Sequence, residues 1–268
     1  MIQNHLLQVL CMIAMEPPTS LNPEEIRNRK VDVLKAIYRM KPEEIHRFAV
    51  RGQYGPGWVQ GKKVAAYRDE HHVDKHSMTE TYAAVKFCID NWRWQGVPFY
   101  LRTGKRMQES TSSITIQFRQ VPHSTFPVAE ADGLSPNSLT IHIQPDMDIR
   151  LKITSKRPGL EMDLKPAELV FDYRTGADRT PEAYETLLLD AISGDATLFM
   201  RSDQVEEAWD VISSIQEVWT GRDSLDIVNY AAGTWGPETS GALLARDGRV
   251  WAVSVPHGSP FIPDDTAV

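Results

Sequence analysis

The chain has 268 residues, 41% of them hydrophobic and 24% charged, enough for one large globular domain or two small ones. Its formal net charge is -7 and its sequence pI is near 5.6, which argues against a general affinity for nucleic acid or for acidic membrane surfaces. Its two cysteines, Cys11 and Cys88, form no CxxC pair, so neither a zinc ribbon nor a disulfide framework is expected and a reduced, cytoplasmic compartment fits.

The chain opens "MIQNHLLQVLCMIAMEPP". Gln3 to Met15 is apolar and helix-favouring, yet no Ser, Thr, Asp or Asn stands ahead of it to cap a helix. The run is shorter than the about 20 residues that span a bilayer, and it lacks a basic leader, so it reads as a core helix. A second helix begins at "LNPEE": Asn22 caps, Pro23 takes the first helical position, and Glu24 and Glu25 suit the positive end of the dipole. Ile26, Val33, Leu34 and Ile37 give it one apolar stripe. "RGQYGPGWVQGKK" reads as a glycine-rich loop after a short strand.

From about residue 79 the period changes to two. Val85, Phe87 and Ile89 alternate with polar or small residues, and "VPFYLRTGK" reads as another strand. Ile114, Ile116 and Phe118 alternate likewise, then Leu139, Ile141 and Ile143, then Ile149, Leu151 and Ile153, then Leu169, Phe171 and Tyr173. Alternation marks strands buried on one face. The expected class is therefore α+β, with a large, mostly antiparallel sheet and helices packed on one face. Two helices come next, "PEAYETLLLDAISGD" from Pro181 and "RSDQVEEAWDVISSIQEVW" with Ser202 as its cap. No repeat or composition shift marks a boundary, so residues 1–268 are read as a single domain.

Four places could carry chemistry. His5 shares a helical face with Val9, Met12 and Ile13; such a histidine is more often packed than catalytic, though imidazole suits general-base work near neutral pH. "RTGK" puts Arg102 and Lys105 at a strand end beside Gly104, where an anion could be met. "DEHHVDKH" would set His72 and His76 on one helix face, a spacing that fits no standard metal site, and no metal is expected. "NWRWQG" brackets Arg93 with Trp92 and Trp94, for which packing and a cation–π contact are the ordinary reading. The run from Gly52 to Gly61 is neither a P-loop nor a GxGxxG fingerprint.

Taken in order, "QNHLLQVLCMIAMEPP", "TETYAAVKFCIDNWRWQGVPFYLRTGKRM", "IQPD", "ITSKRPG", "EAYETLLLDAISGD", "RSDQVEEAW" and "GTWGPETSGALLARDGRVW" resemble the carboxy-terminal domain of the glucose-6-phosphate dehydrogenase family over essentially the whole chain. The resemblance implies a substrate-binding and oligomerisation domain of an NADP-dependent oxidoreductase. That family oxidises glucose 6-phosphate to 6-phosphogluconolactone at the entry to the pentose phosphate pathway. It implies that His5 is the base that takes the C1 hydroxyl proton, and that Lys105 and Gln144 contact the sugar. It places the Asp that orients His5 one position ahead of Met1. The chain is thus expected to be a fragment without the dinucleotide-binding domain, whether by design or by a start assigned at an internal Met. Accordingly no cofactor-binding residue is assigned in this chain, and no activity is expected of it alone. Where the family carries a second basic substrate residue this chain has Ser110, with Arg106 a possible substitute. A further structural NADP site of some members is not expected, because His142 and Arg150 occupy two of its positions. The expected partners are glucose 6-phosphate and a second copy of the chain, paired through the sheet as a dimer or larger oligomer, with neither nucleic acid nor membrane. The alternative is a non-catalytic stand-alone domain that self-associates or assembles with full-length dehydrogenase.

Overall fold

A computed structural model describes residues 1–123, 135–160, 164–173, 183–221 and 227–252. The chain divides into two compact units, one of Met1–Glu109 with Pro181–Trp251, the other of Ser110–Thr180 with Ala252–Val268.

In the first unit a π-helical turn, Ile2–Leu6, runs into helix α1, Leu7–Ala14. Helix α2, Pro23–Ala36, starts as its residues dictate: the Asn22 side chain accepts from the Glu24 N–H at 2.9 Å and Pro23 needs no hydrogen-bond partner. The short α3, Ile45–Phe48, leads into strand β1, Ala49–Gly55, and the hairpin β2, Gly57–Val59, with β3, Lys62–Val64. Strands β4, Tyr82–Cys88, and β5, Pro98–Gly104, come next. After the second unit come α4, Ala183–Ser193, and α5, Ser202–Thr220. The last elements are β10, Val228–Ala231, and α6, Glu238–Ala245. The sheet order is β10-β1-β4-β5, antiparallel except that β10 runs parallel to β1.

Helices α1, α2 and α5 bury one face of this sheet. Leu7, Leu10 and Cys11 of α1, Leu34 of α2, and Ala208, Val211, Ile212 and Ile215 of α5 meet Val85 and Phe87 of β4. Each fully buried leucine or isoleucine there contributes roughly 1.5–3 kcal/mol. The other face is covered as well: Tyr82 and Ala84 of β4 pack with Tyr54, Tyr230 and Leu243 and Leu244 of α6. Strand β4 is therefore buried on both sides.

The glycine-rich stretch expected as a loop is instead strand and hairpin. Its glycines allow backbone to approach backbone: a Cβ on Gly57 would lie 2.1 Å from the Ala232 carbonyl oxygen, close to where Trp58 N–H donates to that same oxygen at 3.1 Å. At the other expected cap, α5 begins one residue earlier than Ser202 implies. Arg201 is the flanking residue, and its N–H is accepted by the Gln204 side chain at 2.9 Å.

The second unit carries an antiparallel meander, β6, Ser112–Gln117, β7, Ser138–Gln144, β8, Asp148–Lys156, and β9, Leu164–Asp172, in that order across the sheet. The register places Ile114, Ile141, Ile149 and Phe171 side by side, and next to them Ile116, Leu139, Leu151 and Leu169. The expected alternation thus holds as a shared face, but Leu169, Phe171 and Tyr173 are exposed on it. The α+β class with mostly antiparallel sheets agrees with the expectation, with the strands among the described residues divided among two four-stranded sheets and one hairpin. No helix among the described residues is long and apolar enough to cross a membrane, and both cysteines are free. Pro181 and Glu182, expected at the start of α4, lie outside the described residues.

Candidate functional site

A cavity of about 210 Å³ lies in the first unit. One wall is Met1–Gln3, the beginning of the π turn; another is the Glu80–Ala83 segment; a third is Thr103–Lys105; α5 supplies Ile212, Gln216 and Trp219. The π turn that carries His5 packs against β5 and α5. The Met1 carbonyl accepts from the His5 N–H at 3.0 Å and, in an i→i+5 bond, from the Leu6 N–H at 3.3 Å. The buried face of α1 differs from the expected one. Leu7, Leu10, Cys11 and Ala14 are buried, whereas His5 and Met12 are exposed and Val9 and Ile13 half-buried. His5 therefore stands in solvent on the element that walls the cavity, not in the core.

Lys105 comes directly after β5. Its side chain is exposed and its backbone is fixed: its N–H donates to the Thr81 carbonyl at 2.8 Å, and its own carbonyl accepts from the Tyr230 hydroxyl at 2.7 Å. Gly104 is required at this turn, since a Cβ there would lie 2.8 Å from the Tyr82 ring and 2.7 Å from the Met107 sulfur. The structure thus brings the His5 turn and the Lys105 turn to one cavity.

Two cations beside Lys105 are differently employed. Arg102 is inside β5, not at its end, and its guanidinium lies between the rings of Trp235 and Trp251, 4.9 and 4.5 Å from their centroids. Burial pulls its pKa down, with Tyr82 opposing. Arg106, the possible substitute for the cation absent at Ser110, has a φ of +52° and turns its guanidinium to Glu70 at 3.4 Å. Neither is an open anion ligand of the kind the sequence pattern implied.

Gln144 belongs to the second unit, at the end of β7, exposed, with its carbonyl accepting from the Thr111 hydroxyl at 3.1 Å. Ser110 begins that unit and is exposed. Two residues before Gln144 is a buried polar cluster. His142 Nδ1 lies 2.5 Å from Asp148 Oδ1, and Arg150 donates to Asp148 Oδ2 at 3.0 Å. Burial opposes ionisation of Asp148, but Arg150 and His142 outweigh it and hold the carboxyl below its ordinary value. His142 and Arg150 are thus both committed to Asp148.

The remaining candidates dissolve into structure. Residues 70–76 form turns rather than a helix, so His72 and His76 do not share a helix face; His72 stacks edge-on against His71. Arg93 makes a two-pronged ion pair with Glu16, at 2.6 and 2.7 Å, instead of a cation–π contact with its neighbours. Trp94 packs edge-on against Phe99 and donates its indole N–H to the Ala14 carbonyl at 2.8 Å. Sequence reasoning missed Thr81 and Tyr230, which no motif announces, because their hydrogen bonds to the Lys105 backbone join segments far apart in the chain.

Comparison with known proteins gives these features a family. Residues 1–252 match the family model described as glucose-6-phosphate dehydrogenase, C-terminal domain. The glucose-6-phosphate 1-dehydrogenase of Mycolicibacterium smegmatis is 50% identical over 252 residues, which cover 94% of this chain and 50% of that protein. The enzyme of the same name from Bacillus subtilis is 44% identical over 94% of this chain and 51% of its own length. A solved glucose-6-phosphate dehydrogenase in complex with its substrate glucose-6-phosphate superposes with a TM-score of 0.82 at 37% identity, covering 94% of this chain and 50% of that one. The Mycobacterium avium enzyme gives 0.76 at 32%, over 96% of this chain and 51% of that chain. The chain spans about half the length of the curated relatives it matches.

Proposed function

The chain belongs to the glucose-6-phosphate dehydrogenase C-terminal domain family, and from that premise we propose that it is the substrate-binding and oligomerisation part of such a dehydrogenase. The carrying observation is the cavity shared by the Lys105 turn and the turn that bears His5. In this reading Lys105 supplies a positive charge to glucose 6-phosphate; Gln144 is a sugar contact by the resemblance alone. His5 takes the proton of the C1 hydroxyl, while the hydride leaving C1 would pass to the NADP that the family implies, giving the lactone. A neutral imidazole can act as a general base of this kind.

Ligand pockets usually enclose about 300–1,000 Å³; the cavity here, about 210 Å³, is smaller. NADP is the oxidant that the family implies. The glycine-rich run lies in β1 and an antiparallel hairpin, not in a strand–turn–helix phosphate cradle. Each fact supports a chain that contributes substrate contacts but shows no turnover by itself. The residue 1–252 match runs across both compact units, which favours one family domain. The two free thiols accord with a cytoplasmic setting, and the metabolic role in this reading is entry of glucose 6-phosphate into the pentose phosphate pathway.

A second reading, a non-catalytic domain that self-associates or joins full-length subunits, is favoured by Leu169, Phe171 and Tyr173, exposed on the apolar side of the β6–β9 sheet. The sheet is also our proposed homo-oligomer surface. Calorimetric titration of the chain with glucose 6-phosphate tests the leading reading. Binding that Lys105→Ala abolishes supports a real half-site; wild-type heats equal to those of the variant remove it and leave the assembling role.

A further inference from the structure

The Lys105 turn is held from behind by a strand remote in sequence. The Tyr230 hydroxyl on β10 donates to the Lys105 carbonyl at 2.7 Å. The same hydroxyl also reaches the Thr81 carbonyl at 3.2 Å and the Thr81 hydroxyl at 3.3 Å, but with one proton its shortest donation is the one to Lys105. Thr81 Oγ1 in turn accepts the Tyr54 N–H at 2.9 Å. Tyr54, Thr81, Tyr230 and the Lys105 carbonyl are thus joined in one hydrogen-bonded cluster. The next residues of the same segment continue the grip: Gly233 N–H donates to the Arg106 carbonyl at 2.8 Å, and Gln108 N–H to the Thr234 carbonyl at 3.1 Å. Tyr230 is buried, its ring edge-on to those of Tyr54 and Tyr82. Burial pushes its phenol above the ordinary value, so the O–H remains a donor through the neutral range.

We infer that Tyr230 is a positioning residue for the substrate contact made by Lys105: its hydroxyl fixes the point at which the lysine leaves the backbone, and thereby where the ammonium meets the sugar phosphate. The inference rests on the reading of Lys105 as a substrate contact. A long flexible side chain anchored on a loose turn would sample many placements, and small misplacements of a binding group are costly.

The test uses Tyr230→Phe, which keeps the ring and deletes the hydroxyl, in the 268-residue chain. Glucose 6-phosphate affinity is expected to fall about fivefold to tenfold, with amide exchange at Lys105–Gln108 accelerated and the urea midpoint nearly unchanged. In a Lys105→Gln background the affinity penalty of Tyr230→Phe should vanish, because it acts through the lysine. A Tyr230→Phe affinity equal to wild type, or a penalty undiminished in the Lys105→Gln background, overturns the inference. If neither wild type nor Lys105→Gln binds the sugar phosphate, the substrate reading fails, and exchange at the turn then decides the role of the phenol. Unchanged exchange in Tyr230→Phe removes it as a support of Lys105, and acceleration confined to the turn retains it.

Discussion

Strands β4 and β9 have similar apolar alternation and opposite surroundings. In β4, Val85 and Phe87 are 1% and 0% exposed; in β9, Leu169 and Phe171 are 55% and 60% exposed. The difference is in the cover over each face. Helices α1, α2 and α5 cover Val85 and Phe87, and on the reverse side Tyr82 and Ala84 meet a second cluster of tyrosines and α6 leucines. The cross-strand partners of Leu169 and Phe171 are Leu151 and Ile149, which extend the apolar face without covering it. Alternation specifies which residues share a face; it does not specify the cover.

The largest effect that would break this comparison is a matched truncation. Phe87→Ala should cost about 3–5 kcal/mol, as large-to-small changes in sealed cores do. Phe171→Ala should cost no more than about 0.5 kcal/mol in the dilute chain, yet weaken self-association. Urea unfolding of both variants, with sedimentation of the second across concentration, measures the contrast. A Phe171→Ala penalty as large as that of Phe87→Ala would mean that β9 is covered after all.

A smaller effect separates the units by their polar interiors. The buried Asp148 of the second unit is held ionised by Arg150 and His142, its carboxyl below the ordinary value. A depressed carboxylate contributes stability that is present above the unfolded value, about 3.9, and lost as pH falls through the folded value. Asp148→Asn should therefore cost about 1.5–3 kcal/mol near neutrality. Its stability should also depend less on pH below about pH 4 than that of wild type. Fluorescence- or dichroism-detected acid unfolding of both proteins checks it; parallel acid curves would mean that the cluster does not titrate with folding.

These contrasts also mark how far the fold is legible in the sequence. The start of α2 is written in adjacent residues, Asn22, Pro23 and Glu24, because capping is local. Strands β4 and β5 of the first sheet and the four strands of the second are visible in the sequence, and the turn at Gly104–Lys105 through its glycine and the strand before it. Strand β1 is hidden because its glycines, Gly52 and Gly55, imitate a loop, and their use appears only when β10 comes alongside. The fate of Arg102 is hidden for the same reason: the two indoles that hold it, Trp235 and Trp251, come from the end of the chain. Lys105 and His5 could be named from residues and resemblance, whereas Tyr230 could not. Its hydroxyl matters only once the parallel pairing of β1 and β10 places it under Lys105.

The smallest effect tests whether the first unit behaves as one sealed body around its thiol. Burial pushes the Cys11 thiol up to about 12, so it reacts only when the unit opens. The Asn22 cap lies at the far end of α2, away from Cys11, although the Cys11 thiol approaches the Lys30 carbonyl in the middle of that helix at 3.6 Å. Asn22→Ala should cost about 1 kcal/mol, which corresponds to about fivefold more of the open form. In a Cys88→Ser background, the labelling rate of Cys11 by a thiol reagent should rise by that factor if the cap and the core open together. A rate that does not change while the urea midpoint falls would show that α2 frays from its cap without exposing α1, and that the seal over Phe87 is made by α1 and α5 independently of it.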